Sequence, residues 1–302
     1  MIIVFGSINI DLVTRVERLP QSGETVLGPD YAIHPGGKGA NQALAARRAG
    51  ADVALIGAVG RDDFAGTALS LLAADGVDLS RVSRVDAPTG AAFIAIDRDG
   101  ANQIFVAAGA NAQARPGAIA GLGPGPDDLL LLQREVPEEG CIEAAATVKD
   151  GGGRVILNLA PAGVPSEALL ALVDILIVNE HEALVLAQGF GWAEREPDDI
   201  ARRVDAERGI ACVATLGAAG AVGWSGGVRR RLEAPPVDVV DTVAAGDSFT
   251  GAFAAALALG LGFSSALQRG LAAGSLACSG AGAQPSIPRA EAITALVGSS
   301  FL

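Results

Sequence analysis

The sequence predicts an α/β protein. A mainly parallel sheet is covered on both faces by helices, making a three-layer core, and a small β unit projects from it. Short buried β-like runs alternate with amphipathic helical patterns over most of the 302 residues, and alternation of this kind implies a parallel sheet with crossover helices. Half of the residues are hydrophobic and only 19% are charged, enough apolar material for one large core. Two stretches, 11–34 and 87–107, break the rhythm with short alternating segments and turn signals.

In order, Ile2–Phe5, Val53–Ile56, Leu129–Leu132, Val155–Leu157, Ile175–Val178 and Cys212–Thr215 read as buried strands. A helix over Gly39–Ala49 is closed by Gly50, and another follows Asp62 as N-cap and stops at Gly76. The second half ends in helical segments Ala245–Leu259, Phe263–Cys278 and Arg289–Leu296. In the irregular stretches the turn signals are Gly23, Gly28-Pro29-Asp30 and Asp97-Arg98-Asp99-Gly100, and Thr89–Ile96 with Asn102–Val106 reads as a hairpin. The expected division is a core of residues 1–10, 35–86 and 108–302 and a small β unit of residues 11–34 and 87–107.

Composition excludes several functions. A net charge of −12 argues against nucleic acid or an anionic membrane as a partner. An acidic protein still binds an anion locally, through helix N-termini, a lysine and metal ions. Cys141, Cys212 and Cys278 lie far apart in apolar runs without CxxC or Cys/His spacing, and read as buried small hydrophobes in a reducing cytoplasm. Met1 leads directly into an apolar strand with no basic leader, and the run Ala252–Phe263 is too short to span a bilayer. A cytoplasmic protein is the expectation.

Five segments carry candidate chemistry. Gly6-Ser7-Ile8-Asn9-Ile10-Asp11 lies at the carboxyl end of the first strand, where doubly wound sheets bind ligands. Asn9 and Asp11 alternate, so on a continuing strand they face one side and can hold the hydroxyls of a polyol; an Asx-type turn accounts for them equally. Pro35-Gly36-Gly37-Lys38-Gly39-Ala40-Asn41-Gln42 is a glycine-rich loop opening a helix, and it matches neither GxxxxGK[ST] nor GxGxxG. Its glycines allow close backbone approach, and Lys38 and Asn41 supply donors to hydroxyls. Asn179 and Glu182 stand one helical turn apart and suit Mg²⁺ through water or, equally, an N-capped helix start. His181-Glu182 is not a zinc-protease motif, because position 185 is valine. Thr215-Leu216-Gly217-Ala218-Ala219-Gly220 fits a cradle for phosphate oxygens and also a hairpin turn.

The fifth segment, Asp241-Thr242-Val243-Ala244-Ala245-Gly246-Asp247-Ser248-Phe249, weighs most. Small side chains leave the amides of Ala244, Ala245 and Gly246 open to a ligand, where they can bind the charge on a transferring phosphoryl group. Asp247 beside them is placed to take a proton from an attacking hydroxyl.

These residues resemble the PfkB-type carbohydrate kinase family from about Val4 to Pro288. The two separated signatures, Gly36–Asn41 and Asp241–Phe249, appear in the family's order. The opening Gly-Ser-Ile-Asn-Ile-Asp and Gly282-Ala283-Gln284-Pro285-Ser286 look like its ribose-phosphorylating members in particular. The resemblance implies an α/β core with a small β-sheet lid. It also implies transfer of the γ-phosphoryl of ATP to the primary hydroxyl of D-ribose. By matching position, Asn9, Asp11, Gly37, Lys38, Asn41 and Glu135 would bind the sugar, with Ala92, Ile94 and Val106 as apolar lid contacts. Asn179 and Glu182 would organise Mg²⁺ and the phosphates, Thr215, Gly217 and Gly220 would form the nucleotide loop, and Asp247 would be the base. A potassium ion would be held by the side chains of Asp241 and Ser286 and the carbonyls of Val243, Ala277, Gly280 and Gly282. The lid's exposed strand edges suit pairing into a homodimer.

His34 beside the glycine loop, Phe105 next to Val106, and Arg134 beside Glu135 bear on which sugar is taken. Kinases for fructose, ketodeoxygluconate or a purine nucleoside are the alternatives within the same chemistry. For a nucleoside, neither Trp192 nor Trp224 lies in the lid stretches to provide stacking. A non-catalytic sugar or nucleotide sensor would be expected to lose Asp247 or Gly246, and both are present. A nicotinamide-dependent dehydrogenase lacks its GxGxxG and a proton-transfer histidine, since His34 and His181 are the only two histidines.

Overall fold

Buried residues alternate in direction along each central strand, and that alternation defines the layers. The computed structural model describes residues 1–300. The chain runs β1 (Ile2–Phe5), β2 (Asn9–Arg15), β3 (Ala32–Gly36), α1 (Lys38–Arg48), β4 (Val53–Val59), α2 (Asp63–Ala74), β5 (Val82–Arg84), β6 (Gly90–Ile96) and β7 (Asn102–Ala107). It continues through β8 (Leu129–Leu132), α3 (Glu138–Asp150), β9 (Arg154–Asn158), α4 (Glu167–Leu170), β10 (Ile175–Asn179), α5 (Glu180–Gly189), α6 (Pro197–Arg208) and β11 (Ala211–Thr215). It closes with β12 (Ala221–Ser225), β13 (Val228–Leu232), α7 (Ala245–Ala258), α8 (Phe263–Cys278), α9 (Ala283–Ser286) and α10 (Ala290–Ser300).

Ile2 and Val4 of β1 pack in one core with α1, α2, α7, α8 and α10, whereas Ile3 and Phe5 pack in the other with α3, α5 and α6. The sheet between them has nine strands in the order β13-β12-β11-β10-β9-β8-β1-β4-β5. It is parallel from β11 to β5, and β12 and β13 add an antiparallel edge. Strand order reverses at β1, which pairs with β8 on one side and β4 on the other. In such sheets the crevice beyond the carboxyl ends at the reversal is the ligand site.

A second sheet of four strands, β3-β2-β6-β7, stands apart from the first. The β6–β7 hairpin read from the sequence is present, and β2 joins it by running parallel to β6. Sequence boundaries moved by a few residues where packing outlasts the local signal. Strand β4 continues three residues past Ile56, because Gly57, Ala58 and Val59 are sheltered and pair with β5. The last helix extends beyond Leu296. Asp62 caps α2 as expected, its side chain accepting from Ala65 N–H. No helix among the described residues is long and apolar enough to cross a membrane.

Helices α1 and α7 meet almost backbone to backbone. A Cβ on Gly251 would stand 2.5 Å from the Ala45 Cβ and 2.6 Å from the Gln42 carbonyl oxygen. Around this contact α7 is buried from Asp247 to Leu257, and Phe253 stacks on Phe249 at 6.0 Å and meets Phe263 edge-on at 5.6 Å.

Gly251→Ala therefore forces the helices apart and should destabilise the protein by about 1–3 kcal/mol in urea unfolding. Gly66→Ala, on the open face of α2 with nothing within 4 Å of the added methyl, should stabilise it by about 0.5–1 kcal/mol. Equal responses at the two positions would contradict this account of the α1–α7 contact.

Candidate active site

The carboxyl ends of β1, β8, β9, β10 and β11 deliver polar residues to one crevice. The β1 exit turns at Gly6–Ile8 into β2, and α1 starts against that corner. Ala40 N–H donates to the Ser7 carbonyl at 2.9 Å, and a Cβ on Gly39 would fall 2.5 Å from the Ser7 nitrogen. Gly37, the N-cap of α1, has φ 91°, a conformation glycine adopts without strain. The glycines of the loop thus serve the approach of α1 to β1, and this brings Lys38 and Asn41 into the crevice.

Asn41 and Asp247 meet there. Asp247, 8% exposed in the first turn of α7, accepts at Oδ2 from Asn41 Nδ2 and at Oδ1 from Gln42 Nε2, each at 2.9 Å. Its helix begins at Ala244, whose φ of 61° is the one positive value at a non-glycine residue among the described residues. Strain of this kind costs about 1–3 kcal/mol and gathers at functional sites. The sequence left three amides open here. The Ala245 N–H is instead turned back onto the Thr242 carbonyl at 3.2 Å, while Gly246 is exposed with nothing within 4 Å of where its Cβ would be.

On one side of Asp247 lies a cavity of about 490 Å³. Thr215, Gly217 and Gly220 line it together with Ala245 and Gly246, so the predicted nucleotide loop and anion-binding turn share one space. An apolar part of its wall comes from Pro236, Phe249 and Leu271. This wall escaped the sequence reading, since it is assembled from three distant segments. Cys278 also lines the cavity and is only half-buried, which corrects its assignment to the core; Cys141 and Cys212 are buried.

On the other side stand the residues expected to hold a sugar. Asp11 pairs in register with His34 on β3 and Ala92 on β6, and Ala92 pairs with Val106 on β7. Opposed residues share a face, so His34, Asp11, Ala92 and Val106 form one row, with Asn9 and Ile94 on the same face. Phe105 belongs to the opposite face. There it lines an open groove with Leu12, Ile33, Tyr31, Phe64 and Phe93. Glu135 accepts from Ser7 Oγ at 2.5 Å and from Lys38 N–H at 3.2 Å. Asn9 is buried and accepts from Asn111 Nδ2 at 2.7 Å. Asn111 also accepts from Ile8 N–H at 2.9 Å and so braces the β1–β2 corner, a role with no local signal in the sequence.

Charge is crowded here. Burial, followed by the carboxylates of Glu135 and Asp247, pushes Asp11 up to about 7 against the pull of Lys38. Burial disfavours the Lys38 ammonium, but Asp247, Glu135, Glu182 and Asp11 outweigh it and hold its pKa above the ordinary value. Burial likewise raises Glu182.

Asn179 and Glu182 form a reciprocal capping box at the start of α5. Glu182 N–H donates to Asn179 Oδ1 at 2.8 Å, and Asn179 N–H to Glu182 Oε2 at 2.8 Å. Of the two readings left open, the helix cap is thus realised, with Glu182 buried rather than solvated.

Behind the α7 turn, Asp241 accepts from Val243 N–H and Gly282 N–H, both at 3.0 Å. Gly280 N–H donates to the Ala277 carbonyl at 3.2 Å, and a Cβ on Gly280 would stand 2.9 Å from the Ser286 Cβ. Asp241, Val243, Ala277, Gly280, Gly282 and Ser286 are therefore drawn into one knot, tied by Asp241 N–H to the Cys278 carbonyl at 3.2 Å. Carboxylate, hydroxyl and carbonyl oxygens are a donor set that fits an alkali cation. Among the described residues no group of three or more His, Cys, Asp or Glu could hold a metal.

Comparisons with known proteins agree with the fold. The family profile described as pfkB family carbohydrate kinase matches residues 1–290. A ribokinase of Haemophilus influenzae is 39% identical over 289 residues, covering 94% of both chains. The structure of Thermotoga maritima ribokinase superposes with a TM-score of 0.90 at 34% identity, covering 98% of this chain and 99% of that one. Arabidopsis thaliana ribokinase, solved in complex with ribose and ATP, gives a TM-score of 0.88 at 32% identity, covering 98% of each chain. With a family match over residues 1–290 and a relative 39% identical across 94% of its length, the chain belongs to the pfkB family of carbohydrate kinases.

Proposed function

We propose that the chain phosphorylates the primary hydroxyl of D-ribose with ATP, giving ribose 5-phosphate and ADP. The observation that carries this reading is the position of Asp247. Asp247 directly follows Ala245 and Gly246, which line the 490 Å³ cavity. Its carboxylate is near enough to Asp11 and Lys38 to act on their charges, with both oxygens oriented by amide donors. The relatives named ribokinase, and the Arabidopsis structure with ribose and ATP, support the choice of ribose.

The sugar hydroxyls engage Asn9, Asp11, Lys38, Asn41 and Glu135, with the backbone at Gly37 close by. Asn41 Oδ1 is buried without a partner, an acceptor free for a hydroxyl. Adenine enters the apolar part of the cavity, and Thr215, Gly217 and Gly220 line the path of the phosphates. Asp247 takes the proton of the attacking hydroxyl as its oxygen bonds to the γ-phosphorus and the bond to the β-phosphate oxygen breaks. Backbone amides of Ala244, Ala245 and Gly246 stabilise charge on the transferring group; the contact between Ala245 and Thr242 must loosen for all three to take part.

Asn179 and Glu182 would hold a nucleotide-bound Mg²⁺ through water, and the ion would offset charge on the phosphates. Asp241, Ser286 and the carbonyls around them would hold a K⁺ ion, which would supply positive charge behind the anion turn. The small sheet, taken with residues 11–34 and 87–107, serves as a lid over the core of residues 1–10, 35–86 and 108–302, and its closure excludes water. Ala92, Ile94 and Val106 form the apolar part of its inner face. The outer groove with Phe93 and Phe105 is an apolar surface suited to a homodimer through the lid. A cytoplasmic location accords with free cysteines.

Asp247→Asn should lower kcat by about 10²–10⁴-fold while ATP affinity, followed by calorimetry, stays within a few-fold; substantial residual turnover would overturn the assignment. Ribose binding should tighten as pH rises through about 7, because Asp11 is protonated below that value and only its ionised form accepts from two hydroxyls. Equilibrium binding without ATP measures this, and Asp11→Asn should flatten the dependence. Rates in potassium should exceed those in sodium at equal ionic strength, and Asp241→Ala should erase the difference. Equal rates in the unmodified enzyme would remove the cation site.

A further inference from the structure

We infer that Gln42 is a positioning residue for the reaction: its amide, locked by Gln133 and Asn158, fixes the plane of the Asp247 carboxylate toward the sugar hydroxyl. This rests on the assignment of Asp247 as base.

Gln42 is fully buried one residue past Asn41 on α1. Its Nε2 donates to Asp247 Oδ1 and to Asn158 Oδ1, each at 2.9 Å. Its Oε1 accepts from Gln133 Nε2 at 2.8 Å. Both amide hydrogens and the carbonyl oxygen are thus engaged. Rotating the amide by half a turn would set its oxygen against two acceptors and its NH₂ against a donor, so one orientation holds. Asn158 is anchored in turn, donating from Nδ2 to the Ile177 carbonyl at 3.3 Å. Gln133 follows β8 and Asn158 ends β9. The relay therefore ties the base to the carboxyl ends of two central strands, independently of α7.

Asn41 alone grips one oxygen of the carboxylate and leaves it free to turn about its Cβ–Cγ bond. A second donor on the other oxygen fixes the plane, leaving a lone pair on each oxygen for the substrate. Both donors are neutral, and neutral amides orient a carboxylate with less pull on its basicity than a cation exerts. The charged groups that act on Asp247 are Lys38 of α1, Asp11 of β2 and Glu182 of α5, and none is hydrogen-bonded to it.

The test is steady-state kinetics over a range of pH on purified Gln42→Met, Gln42→Glu, Gln133→Met and Asp247→Asn, with thermal unfolding of each. Gln42→Met keeps the volume and removes the donor; kcat should fall about 10–100-fold with KM for ribose and ATP within about threefold. Gln42→Glu places a second carboxylate against the first, and the pair should hold a proton more tightly. The acidic limb of kcat, measured at saturating ribose so that the Asp11-dependent binding step does not enter, should then move to higher pH by about one unit or more. Gln133→Met leaves Gln42 in place but frees its amide, and kcat should fall by less with the same unchanged KM values. It carries the test if Gln42→Met does not fold. An unmoved pH profile in Gln42→Glu, or wild-type kcat in Gln42→Met or Gln133→Met, overturns the inference. If Asp247→Asn is inactive in that case, the base assignment survives alone; if Asp247→Asn retains turnover, both fall.

Discussion

Two helix backbones in van der Waals contact set the geometry on which the site depends. Where α1 crosses α7, only the hydrogen of Gly251 fits against Ala45 and the Gln42 carbonyl. Asn41 and Gln42 stand at that crossing on one helix, and Asp247 lies one turn before it on the other. The contact thus converts helix packing, with interiors as dense as organic crystals, into a hydrogen-bond distance of 2.9 Å at each carboxylate oxygen. Apolar burial along α7 holds the crossing, and the polar residues at its end inherit that precision.

The reversal of strand order at β1 decides where this crossing points. Gln133, Asn158, Asn179 and Thr215 follow or end β8, β9, β10 and β11, so the parallel sheet presents them along one edge. Placing several carboxylates around the single ammonium of Lys38 costs solvation, which is visible in the raised Asp11 and Glu182. The carboxylates gather on the Asp11 side, while the 490 Å³ cavity lies beside the turn at Ala245 and Gly246.

The second sheet has two unlike faces. Asn9 and Asp11 share one with small and branched apolar residues, while the other carries Phe93 and Phe105 in the open. Period-two alternation along β2, β6 and β7 makes this division automatic: a shift of register by one residue would exchange the faces. The pairing of Asp11 with both His34 and Ala92 is therefore as much a part of the candidate site as the loops.

Much of this was legible in the chain itself. Strand and helix signals are local, set by periodicity, caps and glycine turns. Asp62 as a cap, the β6–β7 hairpin and the small-residue run before Asp247 could all be read without a partner in view. The segment before Asp247 suited phosphoryl transfer, because open amides and a nearby carboxylate fit that chemistry, and the two separated signatures carried the resemblance to the carbohydrate kinases. What only the tertiary structure decided are pairings across long separations. Gln42 and Asp247 lie 205 positions apart, and Asn9 and Asn111 lie 102 apart. Gln42 carried no signal of its own, since neighbours on a helix face different ways and Asn41 had already been assigned to the site. The Ala245 amide likewise looked open until the left-handed Ala244 turned it back toward Thr242. A sequence states which groups are available at each position, and only packing decides which of them meet.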